Sequence, residues 1–278
     1  MTKIGSVFLT SKIGFITLFG ITTIISLIQP ALSESTVSSG DSSNFAKETS
    51  SNTQDSPVQP PPLPNNGTPV GRRRGGTSRN QCPVSNLPLT ALVPGQDTSK
   101  QTGQNFVSFL ASTVSEYPTV WIYIPESFKN YHVGEFVFQN EAGKDIYRQS
   151  FKLPETEGVI GINLPKKPEY SLEIGKKYHW YFKIYCGEPQ SETAYYYVDS
   201  WIQRIAFTPQ LQMQLNKARS EEYWAYFEQN IWYDTLTVLA QLLQANPSSS
   251  NLQKDWSNIL QSIDLSNITQ KPIVKIYQ

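Results

Sequence analysis

The run Leu172–Cys186, LEIGKKYHWYFKIYC, decides the fold. From Lys177 onward it is aromatic and β-branched, the composition of a residue row that fits a pleated, half-buried surface. Strand alternation points Tyr178, Trp180, Phe182 and Ile184 to one side, and His179, Tyr181, Lys183 and Tyr185 to the other. The first set is the better core face. Working outward, LPLTALVP (87–94), TVWIYIP (119–125), GEFVFQN (134–140), DIYRQSF (145–151), GVIGINLP (158–165) and VDSWIQRIAF (198–207) share that character. Gly, Pro or Asn punctuates them, and Asn140–Gly143 fits a hairpin loop. Short strands with frequent turn signals predict an antiparallel β-sandwich over residues 81–207.

Leu172, Gly175 and Tyr178 stand just before the long aromatic strand, and this spacing resembles the tyrosine corner of immunoglobulin-like and fibronectin type III domains. The resemblance implies that the Tyr178 hydroxyl bonds back to the backbone at the turn. Cys82 precedes the first strand and Cys186 ends the sixth. In an immunoglobulin-like topology both points lie at one end of the sandwich. One disulfide is therefore the expectation for an exported chain, with two buried free thiols as the alternative.

After residue 207 the period becomes helical. Thr208-Pro209 is an N-cap followed by Pro at the first helical position, with Leu211, Leu215 and Ala218 along one face. Ser220 with Glu221 and Glu222 starts a second helix. Trp232, Leu236, Leu239, Ala240 and Leu243 mark a third, stopped at Asn246-Pro247. Leu252, Trp256, Ile259, Leu260 and Ile263 mark a fourth. The stretch IWYDTLTVLAQLLQANPSSSNLQKDW resembles one tetratricopeptide-repeat junction. A single unit lacks the neighbours that such arrays stack against. Residues 208–278 thus read as about four short helices capping the sandwich, making the chain mainly β with a C-terminal α part.

The N-terminal part is different material. Lys3 and Lys12 precede an uncharged apolar stretch over 13–28, and Ala31-Leu32-Ser33 offers small residues for cleavage. Residues 1–33 read as a secretory signal, with an uncleaved anchor as the alternative. Residues 34–80 are rich in Ser, Thr, Asn, Gln, Pro and Gly, and read as a disordered tether too poor in apolar residues to offset the entropy of ordering. The tether ends in GRRRGG. Its Arg72, Arg73 and Arg74, with Arg79, are candidates for contact with an anionic surface, or else a solvated charge run.

The chemistry inventory is thin. Lys+Arg and Asp+Glu are both 23, so there is no basic footprint for nucleic acid. The two Cys and two His, at 82, 186, 132 and 179, lack the spacing of paired metal ligands. No GxSxG, HExxH, Walker or GxGxxG motif occurs. No catalytic, cofactor-binding or metal residue is assigned, and the chain reads as a non-enzyme without cofactor. Glu155 and Glu157 look like solvated turn residues. The suggestive feature is aromatic: Tyr181 and Tyr185, with His179, line the face opposite the core. A neighbouring strand would add either Trp121 and Tyr123 or Val120, Ile122 and Ile124, unless the helices cover this face. Tyr195-Tyr196-Tyr197 reads as a second sticky loop or a partly buried hairpin.

Taken together, GRRRGG, QCPVSNLPLTALVP, TVWIYIP, EFVFQNEAGKDIYRQSFKLP, LEIGKKYHWYFKIYC and NIWYDTLTVLAQLLQANP closely resemble the exported cyanobacterial proteins grouped as domain of unknown function 928. The resemblance implies an envelope or extracellular protein, secreted or periplasmic, and brings no catalytic or binding residues. The leading expectation is an envelope module that engages a protein partner. A polysaccharide-binding module using the aromatic face comes second, and a hydrolase with dispersed carboxylates third. A cleft holding two convergent acids would favour the last.

Overall fold

The computed structural model describes residues 69–77, 82–83, 85–96, 107–128, 130–131, 133–186 and 194–278. The expected leader, most of the tether and Arg79 lie outside the described residues. In chain order the strands are β1 (Gly71–Arg72), β2 (Gly76–Thr77), β3 (Thr90–Ala91), β4 (Gly95–Gln96), β5 (Val107–Ser108) and β6 (Ala111–Thr113). Longer ones follow: β7 (Thr119–Ile124), β8 (Val133–Asn140), β9 (Asp145–Lys152), β10 (Gly158–Asn163), β11 (Lys177–Tyr185) and β12 (Tyr195–Arg204). The helices are α1 (Pro209–Ala218), α2 (Glu222–Glu228), α3 (Trp232–Ala245) and α4 (Ser250–Gln261), and β13 (Ile273–Tyr277) closes the chain. The protein is mainly β with a C-terminal helical part.

One large sheet runs β2-β12-β11-β8-β9, with β6 also on β12; a four-stranded sheet runs β13-β10-β7-β3; a small one runs β1-β5-β4. β11 alternates buried and half-buried residues as its sequence dictates. β7 is buried at every position because both of its sides are covered. The β8–β9 hairpin turns at Asn140–Gly143: Asn140 Oδ1 accepts the N–H groups of Ala142 and Lys144 at 3.1 and 2.9 Å, and Gly143 takes φ 77°.

Both larger sheets and the helices feed one hydrophobic cluster, including Ile122, Phe136, Trp180, Phe182, Leu239 and Ile259. α3 ties the sheets together at its first turns. Trp121 Nε1 donates to Thr237 Oγ1 at 3.1 Å, Trp180 Nε1 to the Tyr233 hydroxyl at 2.9 Å, and Trp232 Nε1 to the Leu92 carbonyl at 2.8 Å. Each indole thus keeps its one polar atom satisfied inside the core. The helix starts follow the sequence: Thr208 Oγ1 accepts from the Leu211 N–H at 3.1 Å, and Ser249 Oγ from that of Leu252 at 3.4 Å.

Three expectations need correction. The tether does not run free to residue 80. Its GRRRGG end is woven into the fold, with Arg73 fully buried and its Nη1 donating to the Ile263 carbonyl at 2.7 Å. LPLTALVP forms strand only at Thr90–Ala91, because Pro88 and Pro94 carry no N–H for a ladder. The helical cap does not extend to residue 278. β13 returns to pair in parallel with β10, with Val159 opposite Ile273 and Ile162 opposite Tyr277.

Candidate binding face

The outer side of the large sheet is assembled by register. Along β11, His179, Tyr181, Lys183 and Tyr185 stand opposite Trp201, Asp199, Tyr197 and Tyr195 of β12. On the other flank, His179, Tyr181 and Lys183 face Gln139, Val137 and Glu135 of β8. Since Tyr195 and Trp201 are six residues apart on β12, the ring-bearing strip is about 20 Å long at ~3.3 Å per residue. Its rings are half-buried.

At one end the His179 ring lies parallel to Trp201, 4.4 Å between centroids at 7°, and Tyr181 packs on it at 4.2 Å. His179 Nε2 is 2.7 Å from Asp199 Oδ2. Asp199 Oδ1 accepts the Arg72 N–H at 2.9 Å, and the Asp199 carbonyl accepts from Ser108 Oγ at 2.9 Å. Both carboxylate oxygens are therefore engaged, and Asp199 is 7% exposed. A His–Asp pair invites comparison with a catalytic triad, but the hydroxyls beside it are already committed. Ser108 donates to the Asp199 carbonyl, and Ser200 Oγ donates to that of Phe109 at 3.3 Å. The pair is a tie that holds the N-terminal strand β1 on β12.

At the other end Tyr185, Tyr195 and Tyr197 meet edge to face, at 6.2 and 5.6 Å. Lys183 Nζ sits 5.2 Å over the Tyr195 ring and the Arg72 guanidinium 5.1 Å over Tyr197. Glu135 accepts from the Tyr185 hydroxyl at 3.1 Å and from Arg148 at 2.7 Å, with Lys183 at 3.7 Å. Cations and carboxylates are thus interspersed among the rings. Burial, with Asp199 nearby, pushes the Tyr181 hydroxyl above its ordinary range and keeps it neutral.

The family model of Domain of Unknown Function (DUF928) matches residues 74–273, which takes in the whole β8–β12 face. The chain belongs to the DUF928 family. No curated protein matches it, and no solved structure does.

In this DUF928 chain the three residues singled out from sequence, His179, Tyr181 and Tyr185, share one face. The helices pack on the other side, where Tyr233 meets Trp180. Neither set offered by β7 joins them, because β7 belongs to the four-stranded sheet. Tyr195, Tyr196 and Tyr197 open β12 rather than forming a loop. Of the four arginines, Arg72 reaches the face, Arg74 is half-buried, and Arg73 is sealed in the core, so it cannot touch an anionic surface. Trp201 and Asp199 were missed because only strand register brings them beside His179. Cys82 and Cys186 are disulfide-bonded, with Cα atoms 5.2 Å apart, one residue beyond Tyr185. No three metal-ligating side chains converge among the described residues.

A cleft of about 530 Å³ opens elsewhere, beside Tyr123, Glu126, Glu157 and Lys271. Tyr123 donates to Glu157 Oε2 at 2.7 Å and Lys271 Nζ to Oε1 at 2.7 Å. Glu157 is therefore no solvated turn residue, whereas Glu155 is exposed. The hydrogen bonds from Lys271 and Tyr123 hold the Glu157 carboxyl below the usual range. This DUF928 chain thus brings two acids, Glu126 and Glu157, to one cleft, with Glu157 held in its ionised form.

Proposed function

We infer that this protein is an exported, non-enzymatic envelope module that holds a saccharide polymer on the outer face of its large sheet. The observation that carries this reading is the strip of half-buried rings from Tyr195 to Trp201, together with His179, Tyr181 and Tyr185, on the side of the sheet away from the helices. Aromatic faces on a rigid sheet stack against the apolar faces of sugar rings, and the interspersed Lys183, Glu135 and Arg148 offer hydrogen bonds to hydroxyls. Rings held by neighbours and by strand pairing lose little freedom on binding.

The scaffold for that face is read as an immunoglobulin-like sandwich. Support comes from the Tyr178 hydroxyl, which accepts the Glu173 N–H at 2.9 Å beside Gly175 at φ 82°, as in a tyrosine corner. The α3–α4 pair joined through Asn246-Pro247 is read as a tetratricopeptide-like hairpin used for packing. The leader over residues 1–33 and the disulfide, which persists in oxidising compartments, support export.

The test is co-sedimentation of the full chain with insoluble cellulose, chitin and peptidoglycan at low and high salt. Retention on one of them that survives high salt is expected. Tyr181→Ala combined with Tyr185→Ala should weaken it about tenfold, ~1.4 kcal/mol. Retention unchanged in that double variant would remove the face from the account.

A further inference from the structure

The cleft beside Tyr123 is lined mainly by polar residues, with Leu87 among them, and is built from four separate stretches of chain. Asn86 precedes β3, Glu126, Ser127 and Asn130 follow β7, Glu157 precedes β10, and Lys271 precedes β13. Its floor is fixed. The Tyr123 side chain is 1% exposed, and its hydroxyl and the Lys271 ammonium each hold one oxygen of Glu157 at 2.7 Å. Lys271 Nζ also lies 5.8 Å from the Tyr123 ring centre. The Tyr123 hydroxyl stays a donor, since burial and the adjoining Glu157 push its ionisation well above the ordinary tyrosine range. Beside this floor, Ser127 Oγ is shielded from solvent and has no hydrogen-bond partner among the described residues. That hydroxyl is a group in want of an acceptor or donor.

The charges narrow the ligand. An anion would meet Glu126 and Glu157. A divalent cation would meet Lys271, and no third acidic or imidazole ligand converges there among the described residues. An apolar ligand would strip water from an ammonium and two carboxylates without replacing their hydrogen bonds. An uncharged, hydroxyl-rich ligand suits the lining, because each hydroxyl both donates and accepts, and the cleft offers carboxylates, an ammonium and amides at close quarters. We propose that this cleft is a binding site for a neutral saccharide unit, with the Glu157–Lys271 pair as its floor and Glu126, Asn130 and Asn86 at its rim. The site is separate from the aromatic face, so the two stand or fall independently.

The experiment is titration calorimetry of the full chain with the uncharged sugars cellotriose, maltotriose and triacetylchitotriose. At least one trisaccharide should bind. Glu126→Ala combined with Asn130→Ala should weaken it at least tenfold, and so should Lys271→Met. Glu126 and Asn130 are both exposed, so that double variant keeps its fold, which an unchanged urea midpoint verifies. Binding should survive Tyr181→Ala with Tyr185→Ala. Binding by none of the three sugars overturns the proposal. So does binding that ignores the cleft variants and disappears in the tyrosine variant, a result that would leave the aromatic-face reading standing.

Discussion

Asp234 stands in the first turn of α3 with its Oδ2 accepting from Thr113 Oγ1 at 2.7 Å and from the Val114 N–H at 3.1 Å. These bonds favour the ionised form, but burial outweighs them and pushes the carboxyl up from 3.8 to about 6. The consequence for stability follows from proton binding. Between pH 3.8 and about 6 the native state holds more protons at Asp234 than the unfolded chain does. This group's contribution is therefore fully present below pH 3.8, is lost as pH rises through the window, and stays lost above about 6. Asp234→Asn keeps an acceptor for both donors and removes the titration. Its loss of a favourable acid near the helix N-terminus is worth only ~0.3–1 kcal/mol. Urea midpoints should show the variant more stable than the parent at neutral pH by about 1–2 kcal/mol, with the difference vanishing toward pH 4. A parent midpoint that rises through the window relative to the variant would refute this.

At the scale of elements, the stretch Gly71–Thr77 is the part whose role differs most from its composition. β1 pairs with β5 and β2 with β12, Arg74 bridges to Thr90, and the Gly75 N–H donates to the Leu89 carbonyl at 2.7 Å. Between them Arg73 is buried with 0% exposure. Three arginines between glycines read as surface, since sequence does not show that a carbonyl at Ile263 waits to receive one of them. β13 was hidden for a related reason: IVKIY is short, follows helices, and is stabilised by a parallel partner more than a hundred residues earlier. β11 was legible because alternation and aromatic content are local, α1 because Thr208 sits at its cap, and α4 because Leu252, Trp256, Ile259 and Leu260 keep a helical period. The aromatic face was half legible. Period two fixed which β11 residues share a side, whereas Trp201 and Asp199 depended on register. A chain beginning at Gln81 should therefore lose its cooperative unfolding transition, while one beginning at Pro69 should retain it. Thermal melts followed by near-ultraviolet circular dichroism distinguish the two, and an intact transition from Gln81 would show the strap to be dispensable.

Across the whole molecule, stability rests on contacts between distant parts of the chain. Arg73 reaches Ile263, β13 lies on β10, and Cys82 is bonded to Cys186 across a separation of 104 residues. Pairings of this kind close long loops before any contact offsets the entropy, so folding is slow and the unfolded ensemble wide. The disulfide narrows that ensemble. For so long a loop the chain-entropy model allows up to ~4.7 kcal/mol, and 2–4 is typical. It encloses β3 through β11, and it leaves the Gly71–Thr77 strap and the helices outside, so their packing is not removed with it. The double variant Cys82→Ser, Cys186→Ser should therefore still fold, with stability lowered by about 2–4 kcal/mol and a steeper urea slope, because the unfolded chain without its crosslink is more open. Reductant should lower the parent to the variant's level and leave the variant untouched. Because Cys186 follows Tyr185 directly, the same treatment should loosen the Tyr185–Tyr195 end of the face more than the His179–Trp201 end. Amide exchange that quickens first at Tyr185 and Tyr195 on reduction would show it, and uniform quickening along β11 would contradict it.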